Sequence, residues 1–537
     1  MSLKPQAPRA MPVELAALES VIFKAKKASP YQLVGNQLYE KYRDEEYLDL
    51  YSVEGKPGLS PVLLGFVTLF QYLEGLSDRE ATNAVLVRLD WKYALHLPLD
   101  YGGFDFSVLS EYRTRLVKHE AEGRVFERIL QDMAGLGVLK RHGRQRTDSL
   151  AIVTRVRTLN RLELVVETLR VTVREIVAVD EEWGRKVLPP SWEERYGERC
   201  VYERLSEKER GILQREAGQD GQWLLERLEE ASTPRVVREL DEVQVLREVW
   251  AQQFEVRDAQ EVVWREPGPY DGETQIQTPH DSEARYSRKR DTEWIGYKLQ
   301  VTDTDDEGLP HLMTDIAVTS SVEGDHEALG EIRARQVERD VQPQERLGDA
   351  GYVSGETLAA GAEIGEDLVG PAAEDHSPQA RMENGITQEQ FTVDVIAGRA
   401  ECPGGQSTTK HTIHPDNSVT FRFDAAQCQA CPLRAQCCAG KGGRTITRGP
   451  HYAELQAARA RQQTDEFKQN YKRRGGVEGT LSVLVRGHGL RKCWYLGKAK
   501  NNLRALFVAA AVNLRRAARW LAGIRPQVRR KGLGLAG

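Results

Sequence analysis

The sequence predicts an α/β core preceded by an all-α domain and interrupted by two insertions, one helical and one small and rich in cysteine. Three observations carry that expectation. Residues 1–140 show apolar residues at helical spacing. Strand-like runs then appear near 144–156 and again at 295–318, the latter followed by a helix and a short apolar strand. Between and after them lie a long charged helical stretch and a polar, Gly-rich segment with clustered cysteines. A chain of 537 residues is too long for one compact core. The expected units are 1–140; a core from 141–156, 285–364 and 451–537; a helical insertion, 157–284; and a Cys-rich insertion, 365–450.

In the N-terminal unit, PVLLGFVTLFQYLEG carries a dense apolar face, and Ser77 with Glu80 forms a capping-box signal for the next helix. A third helix is expected from Ser107. Tight turns between short helices, with Arg79, Arg113 and Arg115 read as exposed, suit a helix-turn-helix as well as a scaffold bundle. RQRTDSLAIV is the first strand, with Asp148 on it or at its end. The insertion has helical periodicity in NRLELVVETLRVTVREIV and LDEVQVLREVWAQQF, separated by Pro189 and Pro190. IGYKLQVTDT and HLMTDIAVT, joined by DDEGLP, read as a hairpin. A helix over 325–338 and a strand ending in RLGDAGY follow. Strand, hairpin partner, third strand, helix and a fourth strand bearing an Asp is an order that resembles an RNase H-like core.

Net charge is −5, yet its distribution is uneven. Residues 471–537 hold sixteen Lys or Arg and one acid, Glu478, whereas 161–260 hold sixteen bases and 23 acids. A basic tail of that density predicts a polyanion-binding surface. No apolar run reaches the ~18 residues of a membrane helix, and no signal pattern opens the chain, so an intracellular protein is expected.

Four of seven cysteines fall at Cys402, Cys428, Cys431 and Cys437, with Cys438 adjacent. In an intracellular chain such spacing points to a structural Zn2+ site before disulfides, a closed set of four thiolates stapling a loop-rich unit. Trp494 and Tyr495 lie amid cations, where stacking on an unpaired base competes with core packing.

Tyr471, Arg474 and Glu478 stand at i, i+3 and i+7, a spacing that shares one face of an α-helix. Two-metal phosphoryl chemistry needs carboxylates converging on ions about 3.5–4 Å apart. The candidates are Asp148, Asp349 and Glu478, and hard oxygen ligands favour Mg2+ or Mn2+. Ala350 and Gly351 after Asp349 leave room beside the backbone, and Gly475-Gly476 before Glu478 suggests a kink that aims the carboxylate.

TDS at Asp148, DAGY at Asp349 and Y-x2-R-x3-E at Tyr471, Arg474 and Glu478 resemble the DDE-class insertion-sequence transposases, in the branch with a Y-R-E signature. The likeness runs from LSDREATNAV and DWKYAL to the tail LGKAKNNLRALFVAAAVNL. It implies an RNase H-like catalytic core, divalent-metal dependence, binding to terminal inverted repeats and target DNA, multimers on paired ends, and strand transfer in the cytoplasm and nucleoid. It also implies that Tyr471 and Arg474 grip a phosphate near the cleaved end. The signature's lysine, seven residues past the glutamate, is Val485 here, which leaves Arg486 or Lys498 as the phosphate contact. The rivals are a nuclease on the same core and an inactive DNA-binding descendant.

Overall fold

The computed structural model describes residues 1–525 apart from 8, 25–27, 258–260, 267, 269–273, 290 and 439. Arg529, Arg530 and Lys531 of the basic tail therefore lie outside the described residues.

Helix α1 (Pro61–Glu74) is apolar on nearly every side and buried along almost its whole length. Ser60 caps it by accepting from Leu63 N at 3.2 Å, and Gly75, at φ 72°, ends it in the left-handed conformation. Helix α2 (Asp78–Val87) opens with the expected Ser77–Glu80 capping box. Helices α3 (Ser107–Lys118) and α4 (Arg124–Gly135) complete this layer.

One N-terminal expectation is overturned. Arg113 is buried, not exposed: it donates to Asp78 at 2.9 and 2.7 Å and to Gln71 Oε1 at 3.3 Å. Its partner comes from another helix, which local periodicity cannot reveal. Arg79 lies over the Phe106 ring and Arg115 over Tyr51, with guanidinium-to-centroid distances of 3.8 and 4.1 Å.

The central sheet contains β1 (Arg144–Val153), β2 (Thr292–Thr304), β3 (Met313–Ser320), β4 (Glu345–Leu347) and β5 (Asp367–Val369), in the order β3-β2-β1-β4-β5. Strand β2 runs antiparallel to β1 and β3, whereas β4 pairs parallel with both β1 and β5. A short strand, Arg285–Lys289, pairs with the start of β2. Between β1 and β2 come α5 (Arg161–Val179), α6 (Glu207–Glu229) and α7 (Asp241–Gln253), which share their own core around Leu169, Leu224, Leu246 and Val249. A hairpin, Phe254–Arg257 with Glu261–Trp264, closes that unit.

Helix α8 (Asp325–Glu338) follows β3, and α9 (Gly355–Glu363) joins β4 to β5. The sheet thus extends past residue 364. Two small three-stranded sheets then pack around Phe391, Phe421, Phe423 and Ile446. Helices α10 (Tyr452–Gln462) and α11 (Asp465–Tyr471), a 3-10 turn (Lys472–Gly476), α12 (Val477–Ser482) and α13 (Lys498–Leu521) complete the order.

Helix α13 joins the N-terminal layer to the sheet. Asn513 bonds both the N–H and the C=O of Met313, at 2.8 and 2.7 Å, and Asn502 Oδ1 accepts from Val318 N at 3.0 Å. These contacts satisfy groups on the outer edge of β3 that would otherwise stand unpaired. The same packing takes some of the tail's cations out of its surface. Arg504 is only 2 % exposed and donates to the carbonyls of Lys492 and His488. Arg516 donates to His311 O at 2.6 Å. Part of the tail's positive charge is therefore consumed inside the fold by main-chain oxygens.

Candidate active site

Register brings the two aspartates together. Strand β1 pairs with β4 through Arg144↔Glu345, Gln145↔Arg346 and Arg146↔Leu347. Asp148 stands two residues past Arg146 and Asp349 two residues past Leu347, so this register carries both toward the same end of the pair. Both lie beyond the carboxyl end of a parallel pair, where open α/β sheets place ligands. Asp148 itself stands in mid-strand, opposite Val301, rather than at a strand end. Strand β1 continues along β2 after β4 has stopped, so Asp148 has a strand partner on one side only.

A single nitrogen ties the carboxylates together. Arg474 Nη2 donates to Asp148 Oδ2 at 2.8 Å and lies 3.9 Å from Asp349 Oδ2. Asp148 Oδ1 accepts from Ser149 N at 2.8 Å, and Asp349 Oδ1 accepts from Gly351 N at 2.9 Å. Burial pushes the Asp148 carboxyl above the usual aspartate range; Arg474 opposes that shift, and the charge of Asp349 adds to it.

Tyr471 stacks on Phe467 at 5.4 Å between centroids, and Phe467 packs on Leu347 and Val369 at the ends of β4 and β5. Burial raises the Tyr471 phenol; Arg474 opposes, and Asp349 and Asp148 add, so its hydroxyl feels the same pair of charges. Tyr471, Arg474, Asp148 and Asp349 are thus gathered at one place.

Among the described residues, Glu478 does not complete a metal-holding group with them. It is exposed on α12 and forms no hydrogen bond or ion pair with any described residue. The cause is local: Tyr471 ends α11, Arg474 lies in the 3-10 turn and Glu478 begins α12, so one continuous α-helical face does not exist. The glycines in that turn serve a purpose other than the expected kink. A Cβ on Gly476 would stand 2.7 Å from Arg146 Cζ and closer still to Nη1, whereas one on Gly475 meets open space. Gly476 lets the turn lie against the sheet.

Arg486 is exposed in the Val483–Gly487 turn, and neighbouring Val485 packs against the main core. Lys498 is exposed at the start of α13, where its backbone N–H donates to Glu283 at 2.7 Å. Among the described residues, neither side chain pairs with Asp148, Asp349 or Glu478. Trp494 is 39 % exposed, with Arg504 over its ring at 3.8 Å, while the Tyr495 hydroxyl meets that of Tyr72 at 2.9 Å.

Sequence reasoning missed Asp325. A Cβ on Gly351 would lie 3.0 Å from Asp325 Oδ2 and 3.0 Å from Asp349 Oδ1, so a glycine is all that separates the two. Asp325 Oδ1 accepts from Gln300 Nε2 at 3.2 Å, and the Tyr352 hydroxyl donates to Gln300 Oε1. Burial, and then the charges of Asp325, Asp148 and Asp349, hold that phenol far above its ordinary range. In the sequence, an acid opening α8 reads only as a favourable helix-dipole residue.

Cys402, Cys428, Cys431, Cys437 and Cys438 line one pocket of the small unit. Cys402 Sγ accepts from Gln406 N at 3.4 Å and Cys428 Sγ from Arg444 N at 3.5 Å. Burial pushes the Cys437 thiol up to about 11. Among the described residues, no group of three or more His, Cys, Asp or Glu is arranged to hold a metal ion, and this applies equally to the carboxylates.

Comparison with known families fits this picture. Residues 401–518 match the family model described as Transposase DDE domain, and residues 23–115 match Transposase domain (DUF772). Two transposase-family domains are therefore present, one in each of these stretches. The first match contains Tyr471, Arg474, Glu478 and the clustered cysteines, but neither Asp148 nor Asp349. No curated protein and no solved structure matches the chain. No helix among the described residues is long and apolar enough to cross a membrane.

Proposed function

We propose that the protein is a DDE transposase of an insertion sequence, cleaving at terminal inverted repeats and joining the released ends to target DNA on an RNase H-like core. The observation that carries this reading is that Arg474 Nη2 reaches both Asp148 and Asp349, just past the end of the parallel β1–β4 pairing. The strand order, with only the second strand antiparallel to its neighbours, supports it, as do the two transposase-family matches.

The donors are of the hard-oxygen kind a divalent cation takes: two carboxylates, here held by one cationic side chain. Asp148 and Asp349 would hold Mg2+ or Mn2+, with Glu478 as the third acid. Such ions, when bound, polarise the phosphodiester and activate water or a 3′-hydroxyl for in-line attack. Arg474 presents a planar fork to a phosphate near the scissile bond, and Tyr471 donates one hydrogen bond to it. Arg486 and Lys498 supply exposed positive charge to the duplex. Cys402, Cys428, Cys431 and Cys437 would close on a structural Zn2+ that staples the small unit. The partners are then double-stranded DNA, as end repeats and target, and further copies of the chain on paired ends, in the nucleoid.

A joining assay separates this reading from a nuclease on the same core. Precut DNA ending in the element's inverted repeats is incubated with Mg2+ and a supercoiled target. A transposase yields joint molecules through the 3′-hydroxyl. Cut ends that never join would leave the nuclease.

A further inference from the structure

We infer that Arg474 is a counter-ion that couples metal binding to DNA binding: without DNA it holds the cation position between Asp148 and Asp349, and a DNA phosphate draws it away. The inference rests on the divalent-cation reading above and adds to it an order of events.

The geometry has three parts. One atom, Nη2, neutralises both carboxylates, at 2.8 Å from Asp148 and 3.9 Å from Asp349. A divalent cation held by those carboxylates would have to compete with this guanidinium for them. Second, Arg474 Nε is buried without a hydrogen-bond partner. A buried unpaired donor is costly, so the guanidinium carries an unmet demand for an acceptor. A phosphate engages arginine through two parallel N–H bonds, and the fork made of Nε and Nη2 includes the nitrogen that Asp148 now occupies. Phosphate capture therefore satisfies Nε and frees Asp148 in one movement. Third, Arg474 belongs to a 3-10 turn between two helices, a place where chains commonly bend, and Gly475 beside it has open space around its α-carbon.

Linkage then dictates the behaviour. A ligand that removes a competing cation raises the affinity for the metal, and the metal raises the affinity for that ligand by the same factor. Couplings of this kind commonly span a factor of about 5–150. The protein would be weakly loaded when free and well loaded on DNA, which restrains hydrolysis away from substrate.

The test is a Mn2+ titration of the full-length protein followed by electron paramagnetic resonance, with and without a short DNA duplex. An Asp148→Asn/Asp349→Asn double variant, with the same duplex, supplies the background. Wild type should bind Mn2+ at least about fivefold more tightly on DNA. Arg474→Gln should bind it more tightly than wild type without DNA, and DNA should then add little. Arg474→Lys, which keeps a charge but not the fork, should retain weak loading without DNA; it also serves if the glutamine variant is poorly folded. Equal Mn2+ affinity for wild type and Arg474→Gln in the absence of DNA would overturn the inference while leaving the cation site standing. Loss of every Asp148- and Asp349-dependent signal, with and without DNA, would overturn the underlying site as well.

Discussion

Two adjacent glycines should respond in opposite ways to the same substitution. Gly476→Ala places a methyl group 2.7 Å from Arg146 Cζ and 3.3 Å from its Nη2. Arg146 has nowhere to retreat: it is 2 % exposed and donates to Asp303 twice at 3.0 Å, to Asp305 at 3.0 Å and to Arg473 O at 3.2 Å. Either the turn lifts, at the ~1–3 kcal/mol typical of overpacking, or the guanidinium leaves Asp303, at the ~3–5 kcal/mol of a broken buried pair. Lifting is cheaper, and it moves Arg474 away from Asp148. Gly475→Ala meets open space and should be neutral or stabilising by up to about 1 kcal/mol, since alanine suits helical backbone better. The chain has several separate cores, so one melting temperature would mix them. Hydrogen exchange of residues 465–482 and of β1 isolates the effect. Faster exchange in Gly476→Ala and unchanged or slower exchange in Gly475→Ala is expected. Equal protection in the two variants would refute the close-approach argument.

Two further outcomes follow from buried groups. His488 accepts from Arg515 on Nε2 and donates from Nδ1 to Tyr72 O, and burial, with Arg515's charge, lowers its pKa to about 4. Because the folded value lies below the ordinary 6.5, its contribution is complete above that pH and is lost as pH falls toward 4. The loss is on the order of 3 kcal/mol, and thermal melts of His488→Gln should depend less on pH across that window than wild type. In the cysteine unit, Cys431→Ser should abolish chain-bound zinc measured by mass spectrometry of the metal, while Cys200→Ser keeps it. Zinc-free wild type purified from zinc-replete cells would end the staple proposal.

The elements with local signals were visible in the sequence. The hairpin of β2 and β3 has alternating apolar positions and a polar turn, α8 has its helical period, and Ser77 with Glu80 marks a helix start within four residues. Long-range geometry was not. That Asp148 neighbours Asp349 depends on the β1–β4 register, which no residue type encodes by itself. Arg113 reads as a surface cation because its acceptor, Asp78, comes from another helix, and the acceptors of Arg504, the carbonyls of Lys492 and His488, are equally hidden from local pattern. The Tyr471–Glu478 spacing assumed an uninterrupted helix, and the 3-10 turn over Gly475 and Gly476 shifts that phase. Gly476 looked like a hinge because a sequence gives its flexibility and hides the side chain pressed against it.

If Asp148 and Asp349 act together on a phosphodiester, Mg2+-dependent nicking of DNA carrying the inverted repeats that flank the gene requires both carboxylates. Asp148→Asn and Asp349→Asn should each reduce nicking by several orders of magnitude while still binding the DNA. Nicking by either variant at the wild-type rate would contradict it.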